Sequence, residues 1–259
     1  WQANYSGNFD AFMAKFSAGG VRLWSTYYGG FNSDFGKGCK ADKYGNVFLV
    51  GYTNNSTNHT IFASGGIAHQ NTYGGGVSDG FAAKFNSAGS RIWGTYFGNN
   101  GTEEFNQCAV DTMGNLIVAG YASTNGLAGG VLTVHQNTIG GATDAILAKF
   151  NGINGYRNGS TYYGGGGLEN GLSCALNANG AVYLAGSCDA SSTGTSIATT
   201  GTWQWVPGGN TDGMLVKFDM CGSAPPNILT SLNTTVCPGT TLNLIARGLD
   251  SYTWFPGGM

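Results

Sequence analysis

One heptapeptide is written four times along this chain. It reads Asp10-Ala-Phe-Met-Ala-Lys15-Phe16, Asp79-Gly-Phe-Ala-Ala-Lys84-Phe85, Asp144-Ala-Ile-Leu-Ala-Lys149-Phe150 and Asp212-Gly-Met-Leu-Val-Lys217-Phe218. Its leading aspartates stand 69, 65 and 68 residues apart. Three other columns keep step. One is Thr26-Tyr27, Thr95-Tyr96 and Thr161-Tyr162. Another is Cys39, Cys108 and Cys174. The third is Trp1-Gln2, His69-Gln70, His135-Gln136 and Trp203-Gln204. A fixed period of this kind decides the architecture before any local reading does.

Within the heptapeptide, Phe12, Ala14 and Phe16 fall on one face and Ala11, Met13 and Lys15 on the other, by the two-residue strand period. Both faces are mostly apolar, which marks a strand covered on both sides. The sequence predicts four strands in each unit of about 66 residues. A first strand leads into a turn such as Asp42-Lys-Tyr-Gly-Asn46 or Asp111-Thr-Met-Gly-Asn115. There an Asp bonds its own backbone and a Gly takes positive φ. The return strand, Val47–Tyr52 in the first full unit, is followed by a long segment. Then come the heptapeptide and an aromatic strand. Forty-six glycines and 13% aromatics suit short strands and tight turns, and argue against disorder.

The fold expected is all-β: a β-propeller of four-stranded blades, with about three and a half blades present. A solenoid is the second architecture such repeats allow. The propeller repeats span 1–230, with a partial unit over 1–30 and units over 36–98, 105–164 and 171–230. In the last unit Ala224-Pro225-Pro226 stands where the aromatic strand belongs, and proline is poorly tolerated inside a sheet. The texture then changes. Val236–Ala246 alternates after Cys237, and Ser251–Phe255 follows, as in the opening of an immunoglobulin-like sandwich. Residues 231–259 are therefore expected to start a truncated second domain. Trp1 lies inside a repeat, so the chain is expected to be an internal piece of a longer protein or a mature chain trimmed upstream.

The motifs Asp-(Ala/Gly)-Phe-x-Ala-Lys-Phe, Trp-x-Thr-Tyr-x-Gly and Asp-x-x-Gly-Asn, the last followed by an apolar strand, resemble the SBBP family of bacterial β-propeller repeats over roughly residues 1–218. The third unit departs at Asn177, Ala181 and Ser187. The resemblance implies a secreted or cell-surface location, and no catalytic residues come with it. The Cys-Pro-Gly and Tyr-x-Trp-x-Pro-Gly-Gly tail resembles the immunoglobulin-like modules of type IX secretion cargo, which implies the type IX machinery as a partner.

Net charge is −2 with no basic run, which removes a nucleic-acid partner from consideration. No apolar stretch reaches the length of a membrane helix. Cys39, Cys108 and Cys174 share a repeat column, so they are expected as buried free thiols. Cys221 and Cys237 could pair.

The aspartates Asp10, Asp79, Asp144 and Asp212 are expected to cap backbone at strand starts. Lys15, Lys84, Lys149 and Lys217 are expected in ion pairs that order each unit. No cofactor and no metal site are expected: His59, His69 and His135 have no ligand spacing, and one Asp and one Asn per turn are too few oxygens for calcium.

The ligand-binding candidates are of two kinds. The long segments 53–78, 122–143 and 187–211 should share one face of the scaffold, where binding usually resides. They carry Tyr73, Trp203 and Trp205, which suit sugar stacking. Asp34, Glu103 and Glu169 each stand five residues before a column cysteine. They are expected either to rim a central channel as a negative collar or to bond the backbone of their own loops. The function expected is non-enzymatic binding or adhesion, with a surface glycan or a cell-surface protein as partner. The alternative is a structural spacer, filament subunit or secretion cargo. A glycosidase or lyase is a third reading.

Overall fold

The computed structural model describes residues 2–54, 68–130, 134–192, 197–205 and 207–218. Among these residues the chain is all-β. Strands β1 (Ala11–Phe16) and β2 (Arg22–Tyr28) form a hairpin. Strands β3 (Asp34–Ala41), β4 (Val47–Thr53), β5 (Gly76–Phe85) and β6 (Arg91–Phe97) then run as an antiparallel meander. The same order returns in β7 (Gly101–Val110), β8 (Leu116–Ala122), β10 (Asp144–Phe150) and β11 (Arg157–Tyr163), where a two-residue strand β9 (Gly129–Gly130) pairs with β11. Strands β12 (Glu169–Leu176), β13 (Val182–Asp189) and β14 (Thr211–Phe218) make a three-stranded sheet.

The units repeat in detail. The first strand of each carries a register shift, at 36–38, 105–107 and 171–173. The heptapeptide strand carries another between Lys and Phe, at 15–16, 84–85 and 149–150. The hairpin turns form as their sequence dictates. Asp42 Oδ1 accepts the backbone N–H groups of Tyr44 and Asn46, and Gly45 takes φ 81°. Asp111 does the same for Met113 and Asn115.

Successive units are joined by short parallel contacts. Phe9 bridges to Ser33, Gly76 and Ser78 pair with Gly101 and Thr102, and Thr143 bridges to Leu168. The apolar pattern suggests first strands that start at Gly36, Gln107 and Leu172; these contacts explain why β3, β7 and β12 start earlier, at Asp34, Gly101 and Glu169. Their first residues pair with the preceding unit, so polar Asp34, Glu103 and Glu169 become strand residues. Strand β9 was also absent from the pattern, because Gly-Gly carries no periodicity.

Both faces of the heptapeptide strand are covered in β5 and β10. In β1 and β14 one face is open, with Phe12 71% and Leu215 74% exposed, a correction to the expectation drawn from Phe12, Ala14 and Phe16, because no neighbouring unit packs on that face among the described residues. Phe81, Ala83 and Phe85 pack with Ala11, Met13 and Tyr28 of the preceding hairpin. Ala82 packs the opposite way, with Phe105, Val118 and Ile146 of the next unit. Ala145 and Leu147 join Cys174, Leu184 and Met214 in a third cluster. Burying such side chains contributes roughly 1.5–3 kcal/mol each relative to exposure. The column cysteines are free. Cys108 and Cys174 are buried, but Cys39 is exposed, a correction to the expectation of three buried thiols. The fourth strand of the third unit and the segment 231–259, with Cys221 and Cys237, lie outside the described residues, as does His59.

Candidate functional site

The repeat columns meet at the junctions between units. Gln70 takes a backbone bond from its own N–H to Thr95 Oγ1 (2.9 Å), accepts the Gly98 N–H on Oε1 (3.0 Å) and donates from Nε2 to Asp79 Oδ2 (3.3 Å). Gln2 and Gln136 repeat all three contacts, the last to Asp10 and Asp144. The column was legible in the sequence; that its glutamine holds the strand-start aspartate was not. Each of these aspartates also accepts a backbone N–H of its own loop: Ser6 for Asp10, Gly74 for Asp79, Gly140 for Asp144 and Gly208 for Asp212.

Asp34, Glu103 and Glu169 lie at the same junctions. Of the two arrangements expected, a collar around a channel or bonds to the backbone of their own loops, the structure shows the second for all three acids. They are 1%, 1% and 0% exposed, and each accepts a backbone N–H of its own entering loop, from Gly30, Asn99 and Gly165. The loop amides need an acceptor, and burial supplies no water to replace it. Asp34 and Glu169 thus lie beside the aspartate of the preceding unit, and the charge of Glu103 acts on Asp79. A Cβ on Gly29 would stand 2.6 Å from Asp10 Oδ1 and 2.7 Å from Asp34 Oδ2. A Cβ on Gly164 would stand 2.6 Å from Asp144 Oδ2 and 2.4 Å from Glu169 Oε2. Only glycine leaves room for a carboxylate pair there.

The lysines serve the units differently. Lys149 pairs with Asp111 at 2.9 Å and Lys84 with Asp42 at 3.4 Å. Burial works against the Asp42 and Asp111 charges, but bonds from the turn and the facing lysine outweigh it, and both carboxyls sit below their usual range. Lys15 reaches the Ser87 carbonyl of the next unit instead. For Lys217 the matching turn position is Asn177, which carries no charge.

Trp203 and Trp205 do come together. They flank a groove of about 610 Å³ beside β14, with Thr199, Gln204, Asp212 and Lys217 among its lining. Trp203 is fully exposed and Trp205 half exposed. Tyr73 is not part of this groove. It packs edge-on against Tyr96 at an earlier junction, and its hydroxyl donates to the Gly76 carbonyl. Of the column residues matching Trp203, His69 is half-buried against Phe97 and Phe150, and His135 is exposed but touches Tyr163 and Phe218. In both cases the second ring comes from the following unit.

Regular all-β units joined in sequence through glycine-rich junctions define an all-β repeat protein. A family model described as SBBP, a beta-propeller repeat, matches residues 23–62, from β2 through β4 into the long segment. No curated protein matches the chain. Among the described residues no helix is long and apolar enough to cross a membrane.

Proposed function

We propose that the four-stranded units are blades of an exported β-propeller, and that the protein is a non-enzymatic binding module whose ligand face is the groove beside β14. The carrying observation is the pair Trp203, fully exposed, and Trp205, half exposed, over a concave surface with amide, hydroxyl and charged groups. Flat exposed rings with polar neighbours suit the apolar face and hydroxyls of a sugar. The exported location and the type IX machinery rest on the sequence resemblance alone. Catalysis is disfavoured by where the acids lie. Glycoside cleavage needs two carboxylates facing one bond at about 5–9.5 Å. Asp212 is the one acid among the groove's lining residues.

A glycan array with the purified chain, followed by titration calorimetry, tests the proposal. Binding abolished by Trp203→Ala and Trp205→Ala supports it, and no binding to any glycan overturns the sugar reading. The structural reading has its own observation: the His69 and His135 rings each touch an aromatic ring of the next unit, so Trp203 occupies a position that elsewhere contacts another repeat. Assembly of the full chain into concentration-dependent oligomers, lost in Trp203→Ala, would favour that reading over a sugar ligand.

A further inference from the structure

The junctions bury acids in pairs, and one oxygen in each of two pairs has no donor. Asp79 and Glu103 meet between the first and second full units, and Asp144 and Glu169 between the second and third. All four side chains are 1% exposed or less. Glu103 is satisfied on both oxygens, by Asn99 N–H and by the Thr124 hydroxyl at 2.7 Å. Asp144 accepts from Gly140, Gly141 and Gln136. Asp79 Oδ1 and Glu169 Oε1 accept nothing. The reason is visible for Glu169. Glu103 pairs in register with Ala122 and Glu169 with Cys188, so the place of Thr124 falls to Ala190, which has no hydroxyl.

We infer that each of these two junctions holds one proton, on Asp79 Oδ1 and on Glu169 Oε1, and that the junctions weaken when it is lost. Two carboxylates in a desolvated site cannot both stay charged without large repulsion. An oxygen without a donor is the position where a proton removes the charge without breaking an existing bond. The direction of titration agrees: burial first, then the charge of the paired acid, pushes Asp79 and Glu169 up to about 7. The titratable groups facing Asp79 are Glu103 and Tyr73, and those facing Glu169 are Asp144, Asp189 and Cys188. All are acids, and no cation faces either pair in these contacts. A bound metal ion is the competing way to neutralise a pair. It is disfavoured because the remaining oxygens face N–H donors, which repel a cation. Among the described residues, moreover, no group of three or more His, Cys, Asp or Glu side chains could hold a metal.

The sign follows from linkage. The folded state binds a proton that the unfolded chain releases near pH 4, so this contribution is complete below pH 4 and is lost as pH rises through about 7. Thermal unfolding of the full chain between pH 6.5 and 9 tests it, alongside Asp79→Asn and Glu169→Gln, which mimic the protonated forms. The wild type should lose a few degrees of Tm over that range. Each variant should flatten the curve and match or exceed the wild type at pH 9. Parallel curves for wild type and variants overturn the inference. So does calcium chloride raising the wild-type Tm at pH 8 but not that of the variants, because a cation would then be the neutralising group. Infrared difference spectra of the wild type supply a readout independent of folding in the variants. The carboxylic-acid C=O stretch should be present at pH 6.5 and gone at pH 9, and its absence at pH 6.5 overturns the inference.

Discussion

Trp93 donates its indole N–H to the carbonyl of Gly152, in the turn of the next unit, at 3.1 Å. Lys84 Nζ reaches the same oxygen at 2.8 Å. One unit earlier, Trp24 and Lys15 converge in the same way on Ser87 O, at 3.0 and 3.1 Å. A tryptophan and a lysine on neighbouring strands thus latch the first hairpin and the first full unit to the unit that follows each, whereas Gly159 stands where the tryptophan would be in the second full unit. Because Trp93 is 2% exposed, its truncation to Ala should cost about 3–5 kcal/mol, the range for a large core aromatic. Trp93→Phe keeps most of the volume and loses the N–H, while Lys84 still serves the carbonyl. Its cost should be nearer 1–2 kcal/mol. Denaturant midpoints of the two variants check this order.

The turn that receives the latch depends on a glycine. Gly155 has φ +73°, and a Cβ there would come 2.7 Å from Cε3 of Trp93. Gly114 has φ +84° with nothing within 4 Å of its absent Cβ. Gly114→Ala should therefore pay only for the left-handed backbone, about 1–2 kcal/mol. Gly155→Ala should cost more, because it also displaces the indole. Equal urea midpoints for the two variants would refute this.

His69 is held neutral. Burial, with help from the Arg157 charge, pushes it down to about 4 from an ordinary 6.5. The unfolded chain takes up that proton first, so the contribution of a neutral His69 is present above pH 6.5 and is lost as pH falls toward 4. The slope opposes that of the junction acids. His69→Phe keeps an aromatic ring between Phe97 and Phe150 and should flatten stability between pH 6.5 and 4. Calorimetric Tm values at half-unit steps across that window measure it.

Asp42 and Asp111 act at the acid end. Their folded values lie below 3.8, so what they contribute is present above that value and is lost as pH falls below it. Asp111→Asn should shift the acid-unfolding midpoint of its unit and make the acid limb shallower. In the third unit, Asn177→Asp should offer Lys217 the partner that Lys149 has. On an exposed lysine the gain should stay within about 0.5 kcal/mol.

What the sequence determined by itself is the repeat and its local chemistry. Strand faces follow from a two-residue period, and turns such as Asp42 to Asn46 close through bonds within five residues. Both are local, so a single unit carries the information. The all-β class and the strand order were legible for the same reason. What the tertiary structure decided is everything made between units. Asp79 and Glu103 are 24 positions apart, and nothing in either local sequence says they will share one buried space. Their pairing exists because parallel contacts pull the start of β7 against the start of β5. That packing buried acids for which the sequence allowed either a solvent-facing collar or bonds to their own loops. It also covered Cys108 and Cys174 while leaving Cys39 open. Trp203 shows the limit most plainly. Its column holds His69 and His135, each touching a ring from the next unit, and those contacts, made between units, are recorded in no local sequence.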